Sequence, residues 1–156
     1  MECESKGIKG VRREEMSSLL SAIERLAQEV AKRYDFTYFK KKIGEYDILE
    51  IEMSESFLYG SLRVEKRKIQ IRLYYNRIKE LCKREMWEFE AAKERVLLHE
   101  FFHILEYEKK IDFSSVMVRR WGIKKLLPQV IEEIAHRYVE CVIEKTEVIL
   151  VEKSKN

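Results

Sequence analysis

Proline and glycine are scarce in this sequence, with one proline and five glycines among 156 residues. No internal repeat and no low-complexity segment is present. Apolar residues make up 46% of the chain, which supports one globular domain over residues 1–156, with residues 1–12 expected to be flexible. Charged residues reach 38%, and this bias at low glycine and proline content resembles proteins of thermophiles.

Cysteines are few, and long apolar runs are missing. The three cysteines are widely separated and form no C-x-x-C pair, which excludes a disulfide framework and fits a reducing compartment. No apolar run is long enough to span a membrane, and no apolar segment follows the N-terminal charges as it would in a signal peptide. We therefore expect a cytoplasmic protein without a membrane partner.

Net charge is also small, at +3, which is too little to indicate a nucleic-acid partner by itself. Basic clusters occur at 40–42, at 63–68 and between 119 and 125. A solvated surface explains each of them, so nucleic acid is not expected as a partner.

Histidine is rare as well, yet two of the three histidines fall in one motif, His99-Glu100-x-x-His103, inside a helical pattern. Residues four apart lie on the same face of a helix, so both imidazoles can point at one metal ion. This spacing predicts half of a zinc site, and Glu100 beside it is the candidate general base.

The surroundings of the motif favour a metal site over two solvated histidines. At about 100° per residue, His99 and His103 lie opposite a broad apolar arc, with Glu100 at its edge. A merely solvated face would carry more lysine and glutamate. The arc consists of Leu97, Leu98, Phe101, Ile104 and Leu105.

A catalytic zinc site needs a third protein ligand and one position open to water. The best candidate lies in a second predicted helix that begins at Pro128. Glu132 falls at the margin of its apolar stripe and is favoured over Glu133, which lies on the polar side. Glu106, one turn after His103, is better placed to hydrogen-bond a ligand than to join the same ion.

Together these motifs resemble the gluzincin metallopeptidases, in particular the minimal archaeal minigluzincins and the ImmA/IrrE group. The resemblance covers about residues 69–143 and rests on His99-Glu100-x-x-His103 followed by Glu132-x-x-Ala135. Two positions depart from the usual pattern: Phe102 stands where glycine is common, and His136 stands where the second group has asparagine.

The resemblance implies a zincin-like α+β domain with a small three-stranded sheet, a helix behind it, an active-site helix and a glutamate helix. It also implies that the strand before the active-site helix is an exposed edge that binds substrate by strand addition. That role would fall to Ile69, Ile71 and Leu73, although an ordinary protected edge strand would show the same alternation.

Hydrophobic periodicity predicts the positions of the helices and strands. We expect a first helix at 14–34 that backs the sheet, and three strands at 46–53, 57–65 and 68–74. A short helix or turn at 76–85 precedes the active-site helix at 87–109. Another short helix should begin near Asp112 and end near Trp121, followed by the glutamate helix from Pro128 to about Lys145.

The predicted function is a zinc-dependent peptidase acting on peptide or protein substrates. His99, His103 and Glu132 would hold Zn²⁺, Glu100 would be the base, and His136 would stabilise the oxyanion or orient a ligand. Tyr138 is the weaker alternative to His136, which could also be an ordinary half-exposed histidine.

Two other functions remain open, a regulatory module that binds a protein or DNA with little proteolysis and a purely structural zinc site. The apolar tail, 147–152, either extends the glutamate helix or pairs with the edge strand and keeps the enzyme latent.

Overall fold

The computed structural model describes residues 13–52, 57–113 and 127–155. These ranges contain five helices and a three-stranded mixed sheet, which confirms the α+β class. The elements are α1 (Arg13–Arg33), α2 (Phe36–Ile43), β1 (Asp47–Ile51), β2 (Gly60–Glu65), β3 (Lys68–Tyr74), α3 (Tyr75–Glu85), α4 (Phe89–Tyr107) and α5 (Leu127–Lys155). The chain divides into two compact units, residues 37–107 and residues 1–36 with 108–156.

The sheet belongs to the unit formed by residues 37–107. Its strand order is β1-β3-β2, with β1 parallel and β2 antiparallel to the central strand β3. A two-residue turn joins β2 to β3, and both of its residues, Lys66 and Arg67, have positive φ angles of 50° and 67°. Two consecutive residues in the left-handed conformation match the twist of a tight hairpin, although glycine or asparagine usually occupies such positions.

One face of β3 forms the core of this unit. Alternation along Lys68–Tyr74 turns Ile69, Ile71 and Leu73 inward, where they pack with residues of α3 and α4. The opposite side of α4 is closed by α2, since the ring of Phe101 meets Phe39 edge-on at 5.3 Å. Helix α4 is therefore buried on nearly all sides, which explains its apolar content.

The second unit is built on α1 and α5, which pack against each other. The buried side of α1 includes Leu19, Ile23 and Ala27, and that of α5 includes Ile134 and Tyr138. Both helices show the period of about 3.6 residues that the sequence displays. The expectation that α1 backs the sheet stays a prediction, because periodicity shows that a helix has an apolar face but not what covers it.

Several boundaries agree with the sequence prediction. Strand β3 has the predicted limits, and α1, α3 and α4 match within two residues at each end. Helix α2 was missed because the sequence analysis assigned no element to residues 36–45. Phe36, Phe39 and Ile43 nevertheless have helical spacing, and Asp35 before them is a typical capping residue.

One prediction about the sheet needs correction, and one of the two alternatives for the tail is confirmed. Strand β3 is the centre of the sheet and not its edge, since alternation reveals one buried face but says nothing about neighbouring strands. Helix α5 continues to Lys155, so the tail extends the helix and does not form a strand. No proline or glycine follows Pro128 to stop it.

Two sequence predictions concern residues outside the described ranges. They are the flexible segment 1–12 and most of the short helix from Asp112 to Trp121. The prediction that residues 1–156 form one domain stays a prediction. Among the described helices, none combines the length and the apolar character needed to cross a membrane.

Candidate metal centre

His99 and His103 lie one turn apart on α4 and turn their rings toward each other. The two Nε2 atoms are 3.3 Å apart, and the ring planes meet at 66°. Neither ring is fully buried, so the pair remains partly open to solvent. Within a helix otherwise surrounded by apolar neighbours, this pair forms a local polar opening.

The separation of the two nitrogens fits the geometry of a zinc site. Two nitrogens bound to a tetrahedral zinc ion, each about 2.0–2.1 Å from it, lie about 3.3 Å apart. The observed distance between His99 Nε2 and His103 Nε2 is 3.3 Å. Two neutral imidazoles that share one N–H proton show a similar distance.

Glu106 contacts the other side of the His103 ring. Its Oε1 lies 3.3 Å from Nδ1 of His103, the ring nitrogen that points away from His99. When Nδ1–H donates to this carboxylate, the neutral ring keeps its lone pair on Nε2, the nitrogen that would bind a metal. The predicted role of Glu106, as a hydrogen-bond partner of a ligand, agrees with this geometry.

Glu132 completes the group. One ligand atom from each of His99, His103 and Glu132 lies within 4.8 Å of the other two, so these residues could hold a metal ion. Two imidazoles and one carboxylate are a donor set typical of catalytic zinc, and three protein ligands leave one position for water. Among the described residues no other group of this kind occurs, and Glu133 is not part of it.

Glu100 is the one charged residue in the described core, at 6% exposure. It lies on the same stripe of α4 as Val96, one turn earlier, and this stripe faces the sheet. Glutamate is rarely buried this deeply, so a buried glutamate next to a histidine pair is a candidate functional residue.

Gly60, the first residue of β2, makes the close approach to Glu100 possible. A Cβ atom at this position would lie 2.8 Å from Cγ1 of Val96 and 3.3 Å from Cγ of Glu100. Only glycine leaves room for the strand to start this close to the helix. Gly60 was not among the predicted site residues, although a lone glycine inside a predicted strand signals close backbone approach.

The two candidates for an oxyanion helper have different surroundings. Tyr138 is fully buried, and its hydroxyl donates to the backbone oxygen of Tyr34 at 2.8 Å. This bond gives Tyr138 a structural role, and its alternative assignment as oxyanion helper stays a prediction. His136 is exposed and lines a cavity of about 290 Å³ together with Glu24 and Glu140, and its catalytic role stays a prediction.

The predicted substrate-binding residues are not at an edge of the sheet. Ile69, Ile71 and Leu73 are buried at 9%, 0% and 1% exposure on a strand that is paired on both sides. A peptide cannot add to a strand whose two edges are already occupied. Among the described strands, the edges of the sheet are β1 and β2, and β2 is the one that starts beside Glu100.

Comparisons with known proteins returned no match to a family model, to a curated protein or to a solved structure.

Proposed function

We propose that this chain is a zinc-dependent metallopeptidase with a zincin-like arrangement of its catalytic residues. The observation that carries the proposal is the constellation on α4, two histidine nitrogens 3.3 Å apart with a buried glutamate between them in sequence. A structural metal site has no need for a buried carboxylate that is not a ligand, whereas hydrolysis needs a base next to the metal.

In this proposal His99, His103 and Glu132 hold Zn²⁺, and Glu106 fixes the ring of His103. The ion, when bound, would supply Lewis acidity toward the scissile carbonyl and toward a water molecule. Glu100 accepts a proton from the attacking water on its carboxylate and then delivers it to the nitrogen of the leaving amine. Its low exposure limits competition from bulk solvent for that proton.

The substrate most compatible with this site is an extended peptide. Strand β2 is antiparallel to β3 and pairs with no other described strand, so its outer edge can accept a peptide backbone. Its first residue, Gly60, lies against Glu100, which would bring a peptide aligned along β2 close to the proposed base. The described structure thus favours β2 for the substrate role that the sequence analysis assigned to β3. A cytoplasmic location remains part of this proposal.

The test combines metal analysis with hydrolysis of an unstructured protein. We expect the zinc-loaded protein to cleave denatured casein, and Glu100→Gln to reduce turnover by about 10²- to 10⁴-fold while zinc content is unchanged. Glu90→Gln is the matched control, since Glu90 lies in the exposed first turn of the same helix.

Two outcomes would contradict the proposal. One is a Glu100→Gln protein that hydrolyses casein as fast as the Glu90→Gln control. The other is a zinc-loaded wild-type protein that cleaves no bond in denatured substrates, which would favour a regulatory or structural metal site.

A further inference from the structure

Strand β1 forms the second edge of the sheet among the described strands. It pairs with β3 on one side, and no described strand pairs with its other side. Apolar side chains are exposed on both of its faces, Ile48 at 39% and Leu49 at 44%. An edge strand that shows apolar residues on both faces is a template for pairing with another chain.

The exposed charges of this edge have one sign. Asp47 is the first residue of the strand and Glu52 follows its last residue; both are exposed carboxylates, and neither forms an ion pair with a described residue. Glu50 between them is neutralised by Lys93 of α4, whose Nζ lies 2.6 Å from Glu50 Oε1. This ion pair ties the strand to the helix, so the negative charges available to a partner are those of Asp47 and Glu52.

We propose that β1 is a docking strand for an extended peptide that carries apolar residues flanked by lysine or arginine. Backbone hydrogen bonds to the open edge would supply affinity, and contacts with Ile48, Leu49 and the terminal carboxylates would supply selectivity. The inference concerns the edge of the sheet opposite β2, and it does not depend on metal binding or on peptide hydrolysis.

Charge decides between this partner and a second copy of the chain. Antiparallel pairing of β1 with itself, centred between Leu49 and Glu50, would place Asp47 of one copy opposite Glu52 of the other. Like charges directly opposite each other destabilise a strand pair, whereas opposite charges stabilise it. In this register a basic partner is favoured over a second copy, and sedimentation of the protein tests the other registers.

The two edges of the sheet also differ in charge, which separates their expected ligands. Arg63 is the basic residue of β2, and it forms an ion pair with Glu65 on the same strand. The open edge of β2 therefore lacks the pair of unpartnered carboxylates found on β1. A basic peptide should prefer β1, and this preference can be measured.

The experiment measures binding of the fluorescein-labelled peptide Lys-Lys-Val-Thr-Val-Lys-Lys to the full chain by fluorescence anisotropy. The Glu100→Gln protein is used throughout so that the probe stays intact. We expect Asp47→Lys combined with Glu52→Lys to weaken binding about tenfold or more, with the effect reduced at high salt. The matched control, Glu29→Lys, changes an exposed carboxylate on α1 and should leave binding within about twofold.

Two further measurements test whether the peptide backbone pairs with β1. The same peptide with N-methyl groups on alternate amides should lose binding, because it cannot complete the ladder of hydrogen bonds. Hydrogen exchange of the complex should show slowed exchange in the segment 47–52. Thermal melts of the variants verify that they are folded.

Four results would overturn the inference. Equal binding by the double variant and the Glu29→Lys control would remove the role of the β1 charges. Undiminished binding of the N-methylated peptide would exclude strand addition. Protection at 60–65 in place of 47–52 would assign the peptide to β2. A dimer in sedimentation that the double variant disrupts would assign the edge to a second copy.

Discussion

The carboxylates around the histidine pair can be ranked by their effect on metal affinity. Glu132→Ala removes a proposed ligand and should weaken zinc binding by more than about 100-fold. Glu106→Gln leaves the ligands in place but weakens the contact with His103, so the expected loss is roughly 10- to 100-fold. Glu133→Ala is the control and should change affinity little, because Glu133 is outside the group.

Competition with a fluorescent zinc chelator measures all three affinities. We expect the loss of zinc affinity to decrease in the order Glu132→Ala, Glu106→Gln, Glu133→Ala. This order tests the ligand assignment independently of any activity. Loss of zinc in Glu133→Ala alone would show that the wrong carboxylate has been identified.

The described cysteines should differ in reactivity. Burial raises the pKa of the Cys141 thiol, and the neighbouring carboxylates of Glu24 and Glu144 raise it further. Thiolate is the reactive species, so Cys141, at 8% exposure, should react with iodoacetamide much more slowly than the partly exposed Cys82.

Mass spectrometry of peptides after timed alkylation gives the two rates. The raised pKa of Cys141 also makes the stability of the fold depend on pH, because the folded protein favours the neutral thiol. The contribution of Cys141 to the free energy of unfolding is fully present below the pKa of the unfolded thiol. It is lost as the pH rises through the pKa of the folded thiol. Faster labelling of Cys141 than of Cys82 at mildly alkaline pH would contradict the assignment.

Strand β2 can begin close to α4 because its first residue, Gly60, has no side chain. Gly60→Ala places a methyl group 2.8 Å from Cγ1 of Val96 and 3.2 Å from the backbone oxygen of Arg72. The strand or the helix has to shift, which should cost about 1–3 kcal/mol of unfolding free energy. Peptidase activity should fall further than this loss of stability explains, since Glu100 borders the same gap.

Urea denaturation and casein hydrolysis on the same samples separate the two effects. Ser61→Ala serves as a control on the neighbouring residue, where only the hydrogen bond between Ser61 Oγ and the Tyr74 hydroxyl is lost. Wild-type stability in Gly60→Ala would mean that the contact relaxes freely.

Helix α3 ends at a residue in an unfavourable conformation. Met86 has φ 58° and ψ 40°, and its side chain is 91% exposed. Glycine adopts this left-handed conformation without the clash of a Cβ atom, so Met86→Gly should stabilise the protein by about 0.5–1 kcal/mol. A thermal melt measures the gain. Lys83→Gly, inside the same helix, should instead destabilise by about 1 kcal/mol, and a loss in both variants would contradict the capping argument.

Local patterns explain which elements could be predicted from the sequence. Strand β3 and helix α4 have strong periodicity, and the spacing of His99 and His103 brings their rings together on any helix. The position of β3 between two strands and the close approach of Gly60 could not be predicted from spacing alone, because both depend on which distant segments meet.

Metal binding should be visible in the stability of the whole protein. A ligand that binds only the folded state stabilises it by RT ln(1 + [L]/Kd), about 2.7 kcal/mol at 100 times Kd. We expect Zn²⁺ to raise the melting temperature by several degrees and a chelator to reverse the rise. Mg²⁺, which prefers oxygen ligands, should have little effect.

The control for this measurement is His99→Ala combined with His103→Ala. This variant should melt at the same temperature with and without Zn²⁺. A zinc-dependent rise that survives in the double variant would show that the ion stabilises the protein from another site.

The central position of β3 has a consequence for synthesis of the chain. Both neighbours of β3 precede it in sequence, so neither β1 nor β2 has its partner until the ribosome has released residues up to Tyr74. The two-residue turn makes β2 and β3 the local pair, whereas β1 has to wait for a partner that begins at Lys68. The apolar, acidic β1 is thus the strand of the sheet that stays without a partner longest in the nascent chain.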